Sequence, residues 1–138
     1  MGRVINPDSV GKERARLTRA IVLAIRTMAQ QSEPNDQARD LAAFITLALE
    51  AVARTIDPTV AAWEKRDYWV KADRFRMDWA WAGQLSARLR IAVLCDDWPA
   101  IAQIAVQIAG KLSKVQVSAN HRLGAPWQGA RKRLISKA

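Results

Sequence analysis

Cations on the first predicted helix are the residues of this sequence best placed to do chemistry. Lys12, Arg16, Arg19 and Arg26 follow one another four, three and seven positions apart, which places them along one side of a helix. No carboxylate is expected on that side. A row of unneutralised cations is typical of a phosphate-binding surface, although the alternative is a basic helix face that only stays hydrated.

A second group of cations lies near the C-terminus. Residues 111–138 carry seven Lys or Arg and no Asp or Glu. The nucleic-acid contacts predicted in this segment are Arg122, Trp127, Arg131, Lys132 and Arg133. The indole of Trp127 would stack on a base or enter a groove while the cations neutralise phosphates. The alternative is that Trp127 docks into a hydrophobic groove of its own chain and that the cations are solvated.

Residues that enzymes commonly use are few. The single histidine, His121, lies in the basic C-terminal segment, so paired Glu-x-x-His iron ligands are excluded. Cys95 is the only cysteine, and its apolar surroundings predict a buried thiol. Asp96 or Asp97 is predicted to cap one helix instead of binding a metal, and Asn35 or Asp36 is predicted to cap an earlier helix. Phosphate loops and nucleophile elbows are also missing, so we predict a non-enzymatic protein without cofactor or metal.

Four main helices are predicted to position these side chains. They cover about residues 6–31, 35–55, 58–95 and 96–113, and the second is apolar nearly all round, which favours a place inside a bundle. The connections are short and no alternating strands intervene. This order predicts an all-α, antiparallel four-helix bundle in residues 1–114, followed by a basic C-terminal extension in residues 115–138.

The third predicted helix is unusually long. Asp57 fits its N-cap and Pro58 its first turn, and no other Pro occurs before Asp96. We predict one continuous helix over about residues 58–95, which would extend roughly 55–60 Å; the alternative is two nearly continuous helices. Any bend is expected at Gly83 or near residues 67–69.

Two apolar stripes run along this long helix. One consists of Trp63, Val70, Met77 and Trp81, and the other of Tyr68, Ala72, Phe75 and Trp79. A helix with two apolar sides has two surfaces to bury. We expect one side to pack into the core and the first stripe to contact a second subunit or another protein. The alternative is a central helix that its own chain covers on both sides.

Charge is unevenly distributed along the chain, whose formal net charge is +9. Residues 1–30 carry six cations against two carboxylates, whereas residues 31–110 carry nine cations against eleven carboxylates. The most apolar run, residues 41–49, is too short to cross a bilayer, and the charged N-terminal segment is unlike a secretory signal. We therefore expect a cytoplasmic protein without a membrane partner.

Three segments carry a resemblance to a known family. They are residues 2–7 (GRVINP), 11–14 (GKER) and 62–73 (AWEKRDYWVKAD). With them the sequence resembles an uncharacterised family of short, basic, all-helical bacterial proteins over nearly its whole length. The resemblance implies a bacterial cytoplasmic protein, and it brings no known activity or site residues.

Taken together, these patterns predict a small helical protein that binds DNA or RNA through phosphates, with little base specificity. The contacts would come from the basic face of the first helix and from the C-terminal cations. The alternative hypothesis is a scaffold or oligomer-forming subunit that associates through the stripe of the long helix. Large exposed apolar patches usually mark such an interaction surface.

Overall fold

The computed structural model describes residues 7–136, with side chains from residue 9 onward. Regular secondary structure in this range consists of six helices and no strand. The helices are α1 (Pro7–Ala29), α2 (Asp36–Arg54), α3 (Ile56–Lys65), α4 (Trp69–Leu94), α5 (Trp98–Lys111) and α6 (Ala130–Ser136). The prediction of an all-α protein is confirmed.

α2 is the most deeply buried helix and contacts α1, α4 and α6. Its residues Leu41, Ile45, Leu49 and Val52 are each at most 1% exposed. This burial follows from its composition, because a helix that is apolar nearly all round must cover most of its surface. The predicted interior position of this helix is confirmed.

Two of the predicted helix caps are present. Asn35 and Asp97 each accept a hydrogen bond from the backbone N–H three residues later, at 2.8 and 3.2 Å. Asp57 is not a cap, because α3 begins one residue earlier and its N-cap is Thr55. Thr55 alone separates α2 from α3, so the chain turns there without a capping loop.

The prediction of one continuous helix over about residues 58–95 is wrong, because the chain leaves the helical conformation at residues 66–68; the alternative of two nearly continuous helices is confirmed. Asp67 adopts a left-handed conformation with φ of 61°. The N–H groups of Tyr68 and Asp67 donate to the carbonyls of Trp63 and Glu64, both at 3.0 Å. This is the Schellman pattern that ends helices, here with Asp where Gly is usual. The break lies in one of the two places where a bend was expected, and Gly83 lies inside α4.

The same backbone pattern ends α4. Asp96 has φ of 51°, and Asp97 N–H donates to Ala92 O at 2.9 Å. Cys95 is the C-cap at this surface turn and is exposed, so the predicted burial of its thiol is wrong.

The C-terminal extension is anchored on α2. Trp127 and Leu134 are buried in the same hydrophobic core as the α2 side chains. Asp40 on α2 accepts hydrogen bonds from the backbone N–H groups of Gly129 and Arg131, at 3.3 and 3.0 Å. A carboxylate of one helix thus satisfies free amides at the start of another, which holds α6 in place.

Candidate nucleic-acid interface

Three of the four cations predicted on the first helix form a row on the exposed side of α1. Lys12, Arg19 and Arg26 are exposed, and Ile21 and Ala24 on the other side of the helix are fully buried. Their spacing of seven residues places them roughly 10 Å apart along the helix axis. None forms an ion pair with a side chain that the structure describes. We name these three residues the α1 cation row.

The fourth cation of this group, Arg16, is paired with a carboxylate. Its Nε and Nη2 atoms donate to the two oxygens of Glu13 at 3.1 and 2.5 Å. The hydrogen bond from Arg16 holds the pKa of the Glu13 carboxyl below its ordinary value, and the same bond raises the pKa of Arg16. The prediction that this helix face carries no carboxylate is therefore wrong at Arg16.

Arg16 also lines a cleft of about 300 Å³ to which four helices contribute an arginine. The arginines are Arg16 from α1, Arg54 from α2, Arg90 from α4 and Arg133 from α6. The cleft is otherwise lined by apolar side chains and a single carboxylate, that of Glu50. We name this the arginine cleft, and its lining carries more positive than negative charge.

Hydrogen bonds hold two of these arginines in defined orientations. Arg90 donates two hydrogen bonds to the carboxylate of Glu50, at 2.7 and 3.0 Å, and this pairing raises the pKa of Arg90. Arg133 donates to the backbone carbonyls of Gln128 and Pro126 at 3.2 and 3.3 Å. Arg54 makes no ion pair with a described side chain. Arg54 and Arg133 therefore have guanidinium groups that no carboxylate in the cleft neutralises.

The remaining predicted contacts near the C-terminus are dispersed. Arg122 and Lys132 are exposed. Arg131 turns to Asp96, with 3.4 Å between its Nη1 and a carboxylate oxygen. Trp127 is only 8% exposed and packs in the core. Its indole is therefore not available for stacking on a base, and it matches the alternative of docking into the protein's own hydrophobic groove.

Four aromatic residues of α3 and α4 form a continuous series of ring contacts, which we name the aromatic ladder. Trp63 meets Phe75 edge to face at 5.1 Å between ring centroids, Phe75 lies 6.2 Å from Trp79, and Trp79 stacks on Trp81 at 5.7 Å. Trp63 and Trp81 are thus partly buried against neighbouring aromatic rings. The predicted interface stripe is split, because Val70 and Met77 are the only two of its four residues that are exposed.

Arg14 of α1 packs its guanidinium against two rings of this ladder. Its guanidinium lies 4.7 Å from the ring centre of Phe75 and 5.6 Å from that of Trp79. It donates to the hydroxyls of Thr55 and Thr59 at 3.1 and 3.2 Å. Burial lowers the pKa of Arg14, since no carboxylate that the structure describes offsets the loss of water. Cation–π contacts and hydroxyls replace a counter-ion here.

The exposed side of α4 carries a second regular pattern. Eight exposed residues alternate three and four positions apart along the helix: Val70, Asp73, Met77, Ala80, Gln84, Ala87, Ile91 and Leu94. We name these residues the outer seam of α4. Six of the eight are apolar, and the alternation of three and four is the spacing of a coiled-coil contact line.

Sequence reasoning missed Arg14, Arg54 and Arg90. Arg14 lies between Lys12 and Arg16 in the sequence, both of which were predicted contacts. Only its angular position on the helix indicates that it faces another way. Arg54 lies four residues after Glu50, a spacing that suggests a local ion pair, yet Glu50 pairs with Arg90 instead. A partner forty positions away leaves no local signal.

Comparisons with protein families, with curated proteins and with solved structures find no match to this chain. The resemblance to a family of short basic bacterial proteins therefore stays a prediction. Within residues 7–136, no helix combines the length and apolar character needed to cross a membrane.

Proposed function

We propose that this protein binds nucleic acid through its phosphates, using the arginine cleft together with the α1 cation row. The observation that carries the proposal is the meeting of Arg16 and Arg133 in one cleft, although they lie at opposite ends of the sequence. Arg54 and Arg90 complete the lining. Guanidinium groups present forked donors that match phosphate oxygens, and those of Arg54 and Arg133 are not neutralised by any carboxylate in the cleft.

The cleft and the row form one continuous basic surface. Arg16 lines the cleft, and on α1 it lies one turn away from both Lys12 and Arg19. A nucleic-acid backbone that crosses the cleft would therefore reach the row. Phosphate contacts position a nucleic acid and carry no direct sequence information, so little base specificity is expected.

The experiment is a binding titration with labelled oligonucleotides of unrelated sequence, double-stranded DNA and single-stranded RNA, at low and moderate salt. The cleft variant is Arg54→Gln with Arg133→Gln. A matched control, Lys65→Gln with Arg74→Gln, removes the same charge from exposed positions on α3 and α4. We expect the cleft variant to weaken binding about tenfold and to lower the salt slope by about 2, since each phosphate contact contributes about 0.9.

The control variant should lose far less affinity than the cleft variant. Equal losses would mean that only the total charge matters and that the cleft is not the site. Failure of the wild-type protein to bind either oligonucleotide at low salt would overturn the proposal as a whole. Thermal unfolding of both variants verifies that any loss of binding is not a loss of fold.

We further propose that α1, α2, α4 and α5 are the four helices of the predicted antiparallel bundle. The connections between them support this arrangement: six residues join α1 to α2, and three join α4 to α5. Short connections favour antiparallel neighbours. In this arrangement α3 extends the bundle at one end, and α6 packs on α2 from outside.

A further inference from the structure

The outer seam of α4 leaves large apolar side chains in water. Val70 is 75% exposed, Met77 is 73% exposed and Ile91 is 66% exposed. They lie seven and fourteen residues apart, with Gln84 at the intervening seven-residue position, while Ala80 and Ala87 provide small side chains between them. An apolar line that repeats every 3.5 residues is the surface that one helix presents to another in a coiled coil.

The edges of the seam carry arginines and no carboxylate. Arg74 and Arg88 flank it on one side, and Arg76 and Arg90 flank it on the other. Arg76 and Arg90 are already paired, at 2.8 Å with Asp73 and at 2.7 Å with Glu50. Arg74 and Arg88 form no ion pair with a described side chain. The edge with Arg74 and Arg88 therefore has positive charge available to a partner.

A second copy of this chain does not match these edges. Its own edges are the same arginines, and the one carboxylate of its seam, Asp73, is already paired with Arg76, so a second copy offers no unpaired carboxylate to Arg74 or Arg88. In an antiparallel pair with the seams in contact, Arg74 of one copy faces Arg88 of the other. Each copy also carries a net charge of +9, which opposes association.

A membrane surface matches the seam less well than a helix does. The polar residues Asp73 and Gln84 lie within the apolar line itself, where they would have to enter the acyl region. The middle of the line consists of Ala80 and Ala87, and a Cβ added at the neighbouring Gly83 would meet only open space. Small residues insert little into lipid, but they allow the backbone of another helix to approach closely.

We propose that the outer seam of α4 binds an amphipathic helix of another protein, whose apolar line is flanked by Asp or Glu residues facing Arg74 and Arg88. The apolar line of the partner covers Val70, Met77 and Ile91. Its carboxylates neutralise the two arginines and select it against basic helices. Of the residues named on the seam and its edges, only Arg90 also belongs to the phosphate-binding surface proposed above, and it is already paired with Glu50.

Two synthetic helical peptides of about four heptads test this proposal. Both carry the same Leu and Ala residues along the contact line, and they differ only in having Glu or Lys at the flanking positions. Binding to the full chain is measured by calorimetry. We expect the Glu peptide to bind at least about tenfold more tightly than the Lys peptide.

Substitutions on the protein distinguish docking on the seam from general attraction. Met77→Lys with Ile91→Lys adds positive charge to the seam. If the Glu peptide bound only by general charge attraction, its affinity would increase. If it docks on the seam, its affinity should fall about tenfold or more. The control, Val106→Lys with Ile135→Lys, adds the same charge at exposed apolar residues elsewhere and should not weaken binding. Arg74→Glu with Arg88→Glu should reverse the preference towards the Lys peptide.

Three results would overturn the proposal. The first is equal binding of the two peptides. The second is a stable dimer in light scattering that Met77→Lys with Ile91→Lys abolishes, which would assign the seam to a second copy. The third is binding to vesicles of anionic phospholipid that the same two substitutions abolish, which would assign the seam to a membrane surface.

Discussion

Arginines on the two sides of α1 are held in opposite ways. Arg14 points inward, where two aromatic rings and two threonine hydroxyls surround its guanidinium. Arg16 lies two residues later, on the opposite side of the helix, where it points towards the arginine cleft and is held by a single exposed carboxylate. A phosphate can replace a carboxylate as a partner, but it cannot replace a packed ring. The surroundings of each arginine, not its place in the sequence, therefore separate a structural role from a binding role.

The largest expected effect comes from Arg14→Ala. This change removes two hydrogen bonds and two cation–π contacts from the junction of α1, α3 and α4, and it should lower the free energy of unfolding by about 2 kcal/mol. Urea denaturation measures the loss, with Lys12→Ala as the exposed control. Equal stability of the two variants would show that Arg14 does not support the fold.

Substitutions in the α1 cation row should weaken nucleic-acid binding and leave stability nearly unchanged, the opposite of what is expected for Arg14→Ala. Lys12→Gln with Arg19→Gln and Arg26→Gln removes exposed cations that make no described ion pair, so the free energy of unfolding should change by less than about 0.5 kcal/mol. Affinity for nucleic acid should fall about tenfold at moderate salt, and the salt slope should decrease by about 3. An unchanged slope would remove the row from the binding surface.

A smaller gain of affinity is expected from Glu13→Gln. The change releases Arg16 from its partner and removes one negative charge from the edge of the proposed binding surface. Affinity for an oligonucleotide at low salt should rise about threefold, while stability falls by only a few tenths of a kcal/mol. Weaker binding would indicate that Glu13 orients Arg16 for phosphate instead of competing with it.

The smallest effect concerns pH. The pKa of Glu13 is lowered in the folded protein, chiefly by its hydrogen bond from Arg16. The contribution of this pair to stability is therefore complete above the ordinary glutamate pKa of about 4.3, and it is lost as the pH falls through the lower folded value. Because the pair is exposed, the loss should be about 0.3 kcal/mol. The difference in Tm between the wild-type protein and Glu13→Gln, followed from pH 6 to 3, should shrink at the acid end.

Patterns among near neighbours in the sequence account for what could be predicted of the fold. The apolar surface of α2 and the caps at Asn35 and Asp97 depend on residues within one or two turns, and all three predictions hold. The break at residues 66–68 was harder to predict because Asp67 takes a left-handed conformation that usually belongs to Gly. Packing stabilises it, since it lets Ile56 and Val60 of α3 meet Ala72 of α4.

In the candidate site, too, some features follow from near neighbours in the sequence and others only from tertiary packing. The sequence by itself determined that the ends of the chain are rich in cations, that the middle builds helices, and that Lys12, Arg19 and Arg26 share one helix face. Only the tertiary structure decided that Arg16 and Arg133 line one cleft, that Glu50 pairs with Arg90, and that Trp127 is buried. The physical reason is that helix faces follow from the pitch of one helix. A cleft between four helices depends instead on how α1, α4 and α6 pack around α2.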